Sequence, residues 1–285
     1  MVKSVRSCIL RTAGTNCDKE TAFAFEKAGA RSELVHINRL ISKEKNIHDY
    51  QILALPGGFS YGDDIASGKI FANELKNKLG GELKKFVADG KLIIGICNGF
   101  QILVKSGLLP GNETLEQETS LIINDSGKFE DRWAYLRSTA YGLRPTAGNK
   151  CIWTNDLPEV IYLPVAHGEG KFVVKDKEVL ARLKKNQQII FQYCDDGGKL
   201  SGYPHNPNGS QENIAGICDE TGRILGLMPH PERHIYKQQH PRWTSRSTVY
   251  GLRSVVMVYR FLTTQLTMQR SISEALREKK RIEFF

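Results

Sequence analysis

A doubly wound α/β fold, with a mostly parallel sheet and helices on both of its faces, is predicted by three features of the sequence. In the first half of the chain, short apolar runs alternate with segments of helical apolar spacing. Glycine-rich turns at 56–58 and 95–99 follow two of these runs. The second half is richer in short strand-like runs. Because strands that alternate with helices pair in parallel, both turns are expected at the carboxyl edge of the sheet, where functional groups collect.

The predicted elements follow from apolar spacing and from the turns that end each run. Strands are predicted in the first half at 5–10, 33–37, 51–55 and 91–96. Spacing by three and four predicts helices at 18–27 and 70–88, and another that begins near Phe100 and closes near Gly107. In the second half, a polar loop is predicted at 202–212, helices at 251–262 and 271–281, and strands at 121–124, 160–165, 170–174, 189–193, 214–218 and 224–228.

The composition indicates a globular protein that forms one domain over residues 1–285. Hydrophobic residues make up 40% and charged residues 25%, and no repeat, low-complexity segment or linker divides the chain. No apolar run approaches the roughly 18 residues that span a bilayer. The N-terminus is typical of a first strand and lacks the features of a signal peptide, so a cytoplasmic location is expected.

Charge and cysteine content narrow the possible partners and cofactors. The net charge is +9, with basic residues concentrated at 76–91 and after residue 268. These segments are interpreted as solvated helix faces or as a docking surface for an acidic partner; they lack the interleaved aromatic residues that bind nucleic acid. The six cysteines are irregularly spaced, which predicts neither a disulfide framework nor a zinc site.

Cys97 is the strongest candidate for a nucleophile. It lies at the centre of Gly-Ile-Cys-Asn-Gly, between an apolar strand and a predicted helix, which is the sharp turn that exposes nucleophiles in α/β enzymes. The N-terminus of the helix favours a thiolate, and the Asn98 N–H is placed to bind an oxyanion. The alternative is a structural cysteine beside a tight turn.

His230 and Glu232 are candidates for the base and for the group that orients it. His230 lies between Pro229 and Pro231, which stiffen the backbone. Glu232 is two residues further on, so in an extended segment both side chains point to the same side. The alternative is a pair of surface polar residues in a proline-rich turn.

The segment 55–64, Leu-Pro-Gly-Gly-Phe-Ser-Tyr-Gly-Asp-Asp, is a candidate oxyanion loop. A double glycine after a strand lets the backbone turn its N–H groups toward a bound group. A phosphate-binding loop is disfavoured because no Gly-Lys-Ser/Thr follows, and a plain tight turn is the remaining alternative.

Together, the elbow GICNGFQ, the segment MPHPER and the loop PGGFSYGDD resemble the class I, triad glutamine amidotransferases. More closely, the chain resembles the glutamine amidotransferase subunits of phosphoribosylformylglycinamidine synthase. The stretches RTAGTNCD, AHGEG, NPNGS and NIAG add to this likeness, which covers roughly residues 7–234.

The resemblance implies a flavodoxin-like fold and a role for each matching residue. Cys97 would be the nucleophile, His230 the base and Glu232 its orienter. Backbone amides of Gly58, Phe59 and Asn98 would form the oxyanion hole. Gln101 would line the substrate pocket. The residues that would help to close the glutamine site or face the synthetase are His167, Glu169, Asn208, Gly209 and Ser210.

The resemblance also implies partners and additions to the core, which would span about 5–234. Ammonia would pass to a large synthetase subunit, which would bind ATP, magnesium and the ribonucleotide; this chain would hold no cofactor or metal of its own. A small bridging subunit is left open. Relative to compact members, a β-rich insertion at about 113–157 and a helical extension at about 235–285 are expected.

Three rival interpretations remain. Peptidases and deglycases on a similar sheet place a histidine directly after the elbow cysteine, whereas Asn98 follows Cys97 here. A non-catalytic relative would not need the intact set of Cys97, His230 and Glu232. An amidotransferase that serves a different synthetase would share the whole set.

Overall fold

The first strand lies between two parallel neighbours in the half of the sheet that carries the Cys97 elbow. In the computed structural model, which describes residues 5–63, 66–139, 151–154 and 157–244, β1 (Arg6–Arg11) buries its four central residues. It pairs in parallel with β2 (Arg31–His36) and with β3 (Ile52–Leu55). Helix α1 (Asp18–Lys27) connects β1 to β2, as the sequence predicts.

The remaining helices and strands are given below, each set in chain order. The helices are α2 (Ile37–Ile41), α3 (Lys69–Glu74), α4 (Gly80–Ala88), α5 (Asn98–Lys105) and α6 (Lys177–Lys185). The strands are β4 (Leu92–Ile96), β5 (Thr119–Ile122), β6 (Glu130–Ser138), β7 (Val160–His167), β8 (Lys171–Val174), β9 (Ile189–Cys194), β10 (Ile214–Cys218) and β11 (Ile224–Leu227).

A nine-stranded sheet runs through the described residues in the order β2-β1-β3-β4-β11-β10-β9-β6-β7. Strands β2, β1, β3, β4 and β11 are parallel, and every residue of β3, β4 and β11 is buried, as expected for strands covered on both faces. The remaining strands are antiparallel. The predicted fold class is confirmed, and the carboxyl ends of β3, β4 and β11 meet beside one another.

The antiparallel half contains one strand that the sequence pattern does not predict. Strand β6 lies between β9 and β7, and its charged residues obscure the alternation that buries Ala134, Leu136 and Ser138. Strands β5 and β8 form a separate two-stranded sheet. Strands β5 and β6 both fall within the insertion predicted at 113–157, yet β6 is an internal strand of the large sheet.

The single helix predicted at 70–88 is interrupted. Helices α3 and α4 are joined by a π-helical segment, Leu75–Leu79, which ends at the Gly80–Gly81 pair. Glycine pairs weaken a helix because glycine loses the most backbone freedom, so the break falls where it costs least. The apolar face is still continuous, since Phe71, Leu75 and Leu83 are all buried.

No helix in the described ranges is both long and apolar enough to cross a membrane. The predicted helices at 251–262 and 271–281 lie outside the residues that the structure describes, as does most of the extension expected after residue 235.

Candidate active site

Cys97 occupies a strained turn between β4 and α5. Its backbone has φ +51° and ψ −107°, a combination that costs about 1–3 kcal/mol for a residue with a side chain. A Cβ at Gly99 would lie 1.9 Å from the Leu55 carbonyl oxygen, so only glycine lets the helix approach β3 this closely. The Cys97 N–H donates to Leu227 O at 2.8 Å, which fixes the elbow to β11.

His230 and Glu232 form a buried pair directly after β11. The ring Nδ1 of His230 lies 2.6 Å from Glu232 Oε1, and the two residues are 1% and 3% exposed. The His230 N–H donates to Pro164 O at 2.8 Å, which fixes the backbone of the pair to β7. The expected contact between Glu232 and the ring is present, but the segment is not extended as predicted: Pro231–Arg233 is a 3-10 turn that brings the carboxylate to the ring.

The charge state of His230 is set by opposing effects. Burial alone would lower its pKa, but the negative charges of Glu232 and Cys97 outweigh burial and raise the pKa to about 10. At neutral pH the ring is therefore protonated, and it can act as a proton donor. Its Nε2 atom is buried, and the thiol of Cys97 is a neighbouring group that contributes to the raised pKa, so this nitrogen is placed for proton exchange with the nucleophile.

Cys97 and His230 line the same pocket of about 250 Å³. Gly57 lies between them: a Cβ at this position would be 2.8 Å from His230 Cε1 and 3.5 Å from Cys97 Cβ. The two groups that the sequence places about 130 residues apart are thus brought together at the carboxyl edge of the sheet.

Replacing Gly57 with alanine is expected to lower the glutamine hydrolysis that the resemblance implies at least about 100-fold, because the added methyl group displaces the His230 ring from the nucleophile. Steady-state ammonia release measures the loss. Gly81→Ala is the matched control, since a Cβ there meets no atom within 4 Å. Full activity of Gly57→Ala would show that the separation of thiol and imidazole is not critical.

The loop that follows β3 is held tightly against the chain after β1. Gly58 has φ +140°, and a Cβ on it would lie 2.7 Å from Asn16 N, so glycine is required there. The Phe59 N–H donates to Gly14 O at 2.9 Å. The assignment of Phe59 to the oxyanion hole therefore stays a prediction that requires this hydrogen bond to open. The Asn98 N–H begins α5 and has no partner within its helix.

The side chain of Asn98 connects the loop after β3 to helix α5 beside the pocket. Its Oδ1 accepts from the Ser60 N–H at 3.3 Å, and its Nδ2 donates to Gln101 Oε1 at 3.0 Å. Gln101 Nε2 in turn donates to Glu169 O at 2.6 Å. The predicted substrate residues Gln101 and Glu169 are thus linked to the elbow, and both line the pocket together with His167.

His167 is a neutral histidine at neutral pH. Burial, and the positive charge of the nearby His230, lower its pKa to about 3. Its Nδ1 pairs with Asn124 Oδ1 at 3.2 Å, so the neutral ring donates there and leaves Nε2 as an acceptor. That Nε2 is buried without a hydrogen bond to any described residue. His167 is therefore suited to accept a hydrogen bond from a bound molecule.

The predicted residues Asn208, Gly209 and Ser210 do not line the pocket. Asn208 Nδ2 donates to Gly170 O at 2.8 Å, and Ser210 Oγ accepts from the Phe172 N–H at 2.9 Å. Asn208 and Ser210 are buried and hold the segment that carries His167 and Glu169 in place. Direct contact of these three residues with glutamine or with a synthetase stays a prediction.

Comparison with known proteins identifies relatives whose family agrees with the geometry of the site. A family model for the CobB/CobQ-like glutamine amidotransferase domain matches residues 4–259. The phosphoribosylformylglycinamidine synthase subunit PurQ of Dehalococcoides mccartyi is 48% identical over 242 residues, covering 85% of this chain and 90% of that protein. The chain belongs to the PurQ family.

Other members of the PurQ family support the assignment. PurQ of Methanococcus maripaludis strain C7 is 44% identical over 254 residues, covering 87% of this chain and 90% of its own length. A chain in the structure of PurLQS from Thermotoga maritima superposes with a TM-score of 0.65 at 31% identity, covering 90% of this chain and 98% of that one. The resemblance to glutamine amidotransferases, drawn from sequence motifs, is confirmed.

For this PurQ family member, sequence reasoning missed several residues of the pocket. Cys17 and Arg233 both line it, and Arg233 Nη2 lies 3.1 Å from Cys17 Sγ. Both belong to stretches that carried the resemblance, but nothing in the sequence indicates that they touch. Asn124 gave no signal, because a buried asparagine that braces a loop is recognisable only from its hydrogen bonds to His167 and Gly170.

Proposed function

We propose that this chain hydrolyses glutamine to glutamate and ammonia through a Cys97–His230–Glu232 triad, and delivers the ammonia to the synthetase subunit of phosphoribosylformylglycinamidine synthase. One observation carries the proposal. A cysteine held in a strained elbow lines the same small pocket as a buried histidine that is paired with a buried carboxylate.

The chemistry begins with the Cys97 thiolate, whose sulfur attacks the side-chain amide carbon of glutamine. The oxyanion that forms is stabilised by the N–H groups of Asn98 and Gly58. The imidazolium of His230 gives its proton to the departing amide nitrogen, so the C–N bond breaks and ammonia leaves. The product on the enzyme is a glutamyl thioester.

Hydrolysis of the thioester completes the cycle. Neutral His230 takes a proton from a water molecule, whose oxygen attacks the thioester carbonyl. The carbon–sulfur bond breaks, glutamate leaves, and the thiolate–imidazolium pair is restored. Glu232 holds the ring and stabilises its charge in both halves of the reaction, as the acidic residue of a triad does.

The pocket suits a small polar substrate. Its volume of about 250 Å³ lies below the roughly 300–1,000 Å³ typical of drug-sized ligands. Charged residues that line it, among them Asp131, Glu169 and Arg233, offer partners for the α-amino and α-carboxylate groups of an amino acid. His167 Nε2 offers an acceptor in the same pocket as the nucleophile.

Synthetase chemistry is assigned to a partner. The sequence contains no Gly-Lys-Ser/Thr phosphate loop, so ATP, magnesium and the ribonucleotide are proposed to bind mainly on the large subunit. The relatives are named as one subunit of this synthase, and the solved relative from Thermotoga maritima is a chain of PurLQS; both names support that division. We place the complex in the cytoplasm, and a small bridging subunit stays a prediction.

Adding this chain to its purified synthetase subunit, which alone uses ammonium, is expected to let the complex use glutamine as the nitrogen source for amidation of formylglycinamide ribonucleotide. Product formation is measured with glutamine or with ammonium chloride as the nitrogen source. An increase with glutamine alone, stoichiometric in glutamate, supports the proposal. Unchanged use of glutamine in the presence of the chain contradicts it.

A further inference from the structure

A second group of reactive side chains adjoins the proposed triad. Among the described residues, Cys17, Glu20, His230 and Glu232 each offer one ligand atom, and these atoms all lie within 4.8 Å of one another. Cys17 precedes α1 and Glu20 lies in its first turn, whereas the other two follow β11. Since the two pairs lie more than 200 residues apart, ligand spacing in the sequence cannot reveal them.

Two buried atoms in this group, His230 Nε2 and Glu232 Oε2, lack a hydrogen-bond partner among the described residues. Glu232 Oε1 binds His230, but Glu232 Oε2 is buried and makes no hydrogen bond within the described part of the chain. Leaving a buried acceptor unpaired costs about 1–3 kcal/mol, and more for a charged one. A bound cation would satisfy it.

The donor set matches the preferences of zinc. One sulfur, one imidazole nitrogen and two carboxylate oxygens are ligands that Zn²⁺ accepts in tetrahedral sites. Bond lengths of about 2.0–2.3 Å place such ligands roughly 3.5 Å apart. Because no two of these ligand atoms are more than 4.8 Å apart, shifts of about an ångström are enough to form a coordination shell.

The guanidinium of Arg233 places a positive charge beside Cys17 and Glu20. Its Nε lies 2.9 Å from Glu20 Oε1 and its Nη2 lies 3.1 Å from Cys17 Sγ. The Arg233 side chain is 34% exposed, so it can move into solvent and leave both groups to a metal ion. The guanidinium and the metal ion must therefore compete.

We propose that Cys17, Glu20, His230 and Glu232 form an inhibitory site for zinc or a similar borderline divalent cation. On binding, the Cys17 S–H bond and one N–H bond of the His230 imidazolium break, sulfur–metal and nitrogen–metal bonds form, and both protons leave to solvent. His230 and Glu232 then coordinate the metal and no longer serve Cys97. This loss of activity rests on the proposed glutaminase function, whereas metal binding itself does not.

Cobalt(II) added to the full-length Cys97→Ser variant tests the site directly. A near-ultraviolet thiolate-to-cobalt absorption band is expected, because Cys17 is the only thiol in the group. The band is expected to vanish in Cys97→Ser/Cys17→Ser. Absence of the band in the single variant, or its persistence in the double variant, would overturn the proposal. Cys97→Ser/Cys194→Ser is the matched control and should keep the band.

Competition with Arg233 gives a second, independent measurement. Arg233→Met is expected to bind cobalt at least about 10-fold more tightly than the parent Cys97→Ser chain, while Glu20→Gln binds it more weakly. Unchanged affinity in both variants contradicts the proposed coordination.

In the assembled wild-type synthase, micromolar zinc is expected to abolish glutamine-dependent amidation reversibly and to spare ammonium-dependent amidation. Retention of glutamine use with the metal bound overturns the inhibitory role. If the cobalt band forms but no preparation uses glutamine, the metal site stands and the proposed function fails.

Discussion

Cys97→Ala is expected to lower glutaminase turnover of the assembled synthase by about 10⁴- to 10⁶-fold, as loss of a triad nucleophile does in other hydrolases. Alanine removes the sulfur that forms the thioester, and Cys17, the other thiol that lines the pocket, does not lie at the elbow. Coupled detection of glutamate measures the loss. Because alanine is smaller than cysteine, the strained turn and the packing of β4 against α5 are kept.

Two comparisons separate loss of chemistry from loss of structure. The Cys97→Ala complex should retain full amidation with ammonium chloride, since only nitrogen supply is removed. Cys194→Ala, which changes a buried cysteine in β9 outside the pocket, should keep glutamine use. Substantial glutaminase activity in Cys97→Ala would refute the nucleophile assignment.

Glu232→Gln is expected to lower turnover by about 10²- to 10⁴-fold, in line with losses measured for the acidic member of other triads. The neutral amide cannot stabilise the imidazolium. Its NH₂ group can also donate a hydrogen bond to His230 Nδ1, which favours the wrong tautomer of the ring. Glu178→Gln, an exposed change in α6, is the control and should be silent.

The same substitution has a predicted effect on proton binding. The negative charge of Glu232 is among the causes that raise the His230 pKa to about 10 against the opposing effect of burial. Removing that charge leaves burial less opposed, so the His230 pKa should fall and the ring should lose its proton at lower pH. An NMR titration of His230 in both chains measures the shift; an unchanged or higher pKa in Glu232→Gln would contradict the account.

The parallel half of the fold can be predicted from the sequence because its strands are buried on both faces. Runs such as Leu92–Ile96 carry no polar residue, so their pattern is clear, and a glycine-rich turn follows both β3 and β4. The bounds predicted for helix α1 agree with those observed, Asp18–Lys27. The elbow residue Cys97 follows from the same logic, since strand, turn and helix are contiguous.

The antiparallel half is harder to predict because its order depends on pairing between distant segments. Strand β6 pairs with β7 and β9, and neither partner is specified by local sequence. Its charged residues break the apolar alternation that identifies strands, although only Asp131 among them is exposed.

In the site, as in the fold, residues in contiguous motifs can be predicted from the sequence, and contacts between distant segments cannot. Residues on contiguous motifs, such as His230 and Glu232, can be identified because they lie close in the sequence, although a 3-10 turn and not an extended segment brings the two side chains together. The contact between Cys17 and Arg233 joins segments 216 residues apart and becomes visible only in three dimensions. Residues 208–210, predicted to belong to the site, instead lie outside the pocket and hold the segment at 170–172 in place through hydrogen bonds.

Acid quenching of the synthase during turnover with isotopically labelled glutamine, followed by mass spectrometry of its peptides, tests the central claim most directly. A labelled glutamyl adduct is expected on the peptide that contains Cys97, and none in the Cys97→Ala variant. An adduct on any other residue, or undiminished turnover in that variant, would contradict the claim.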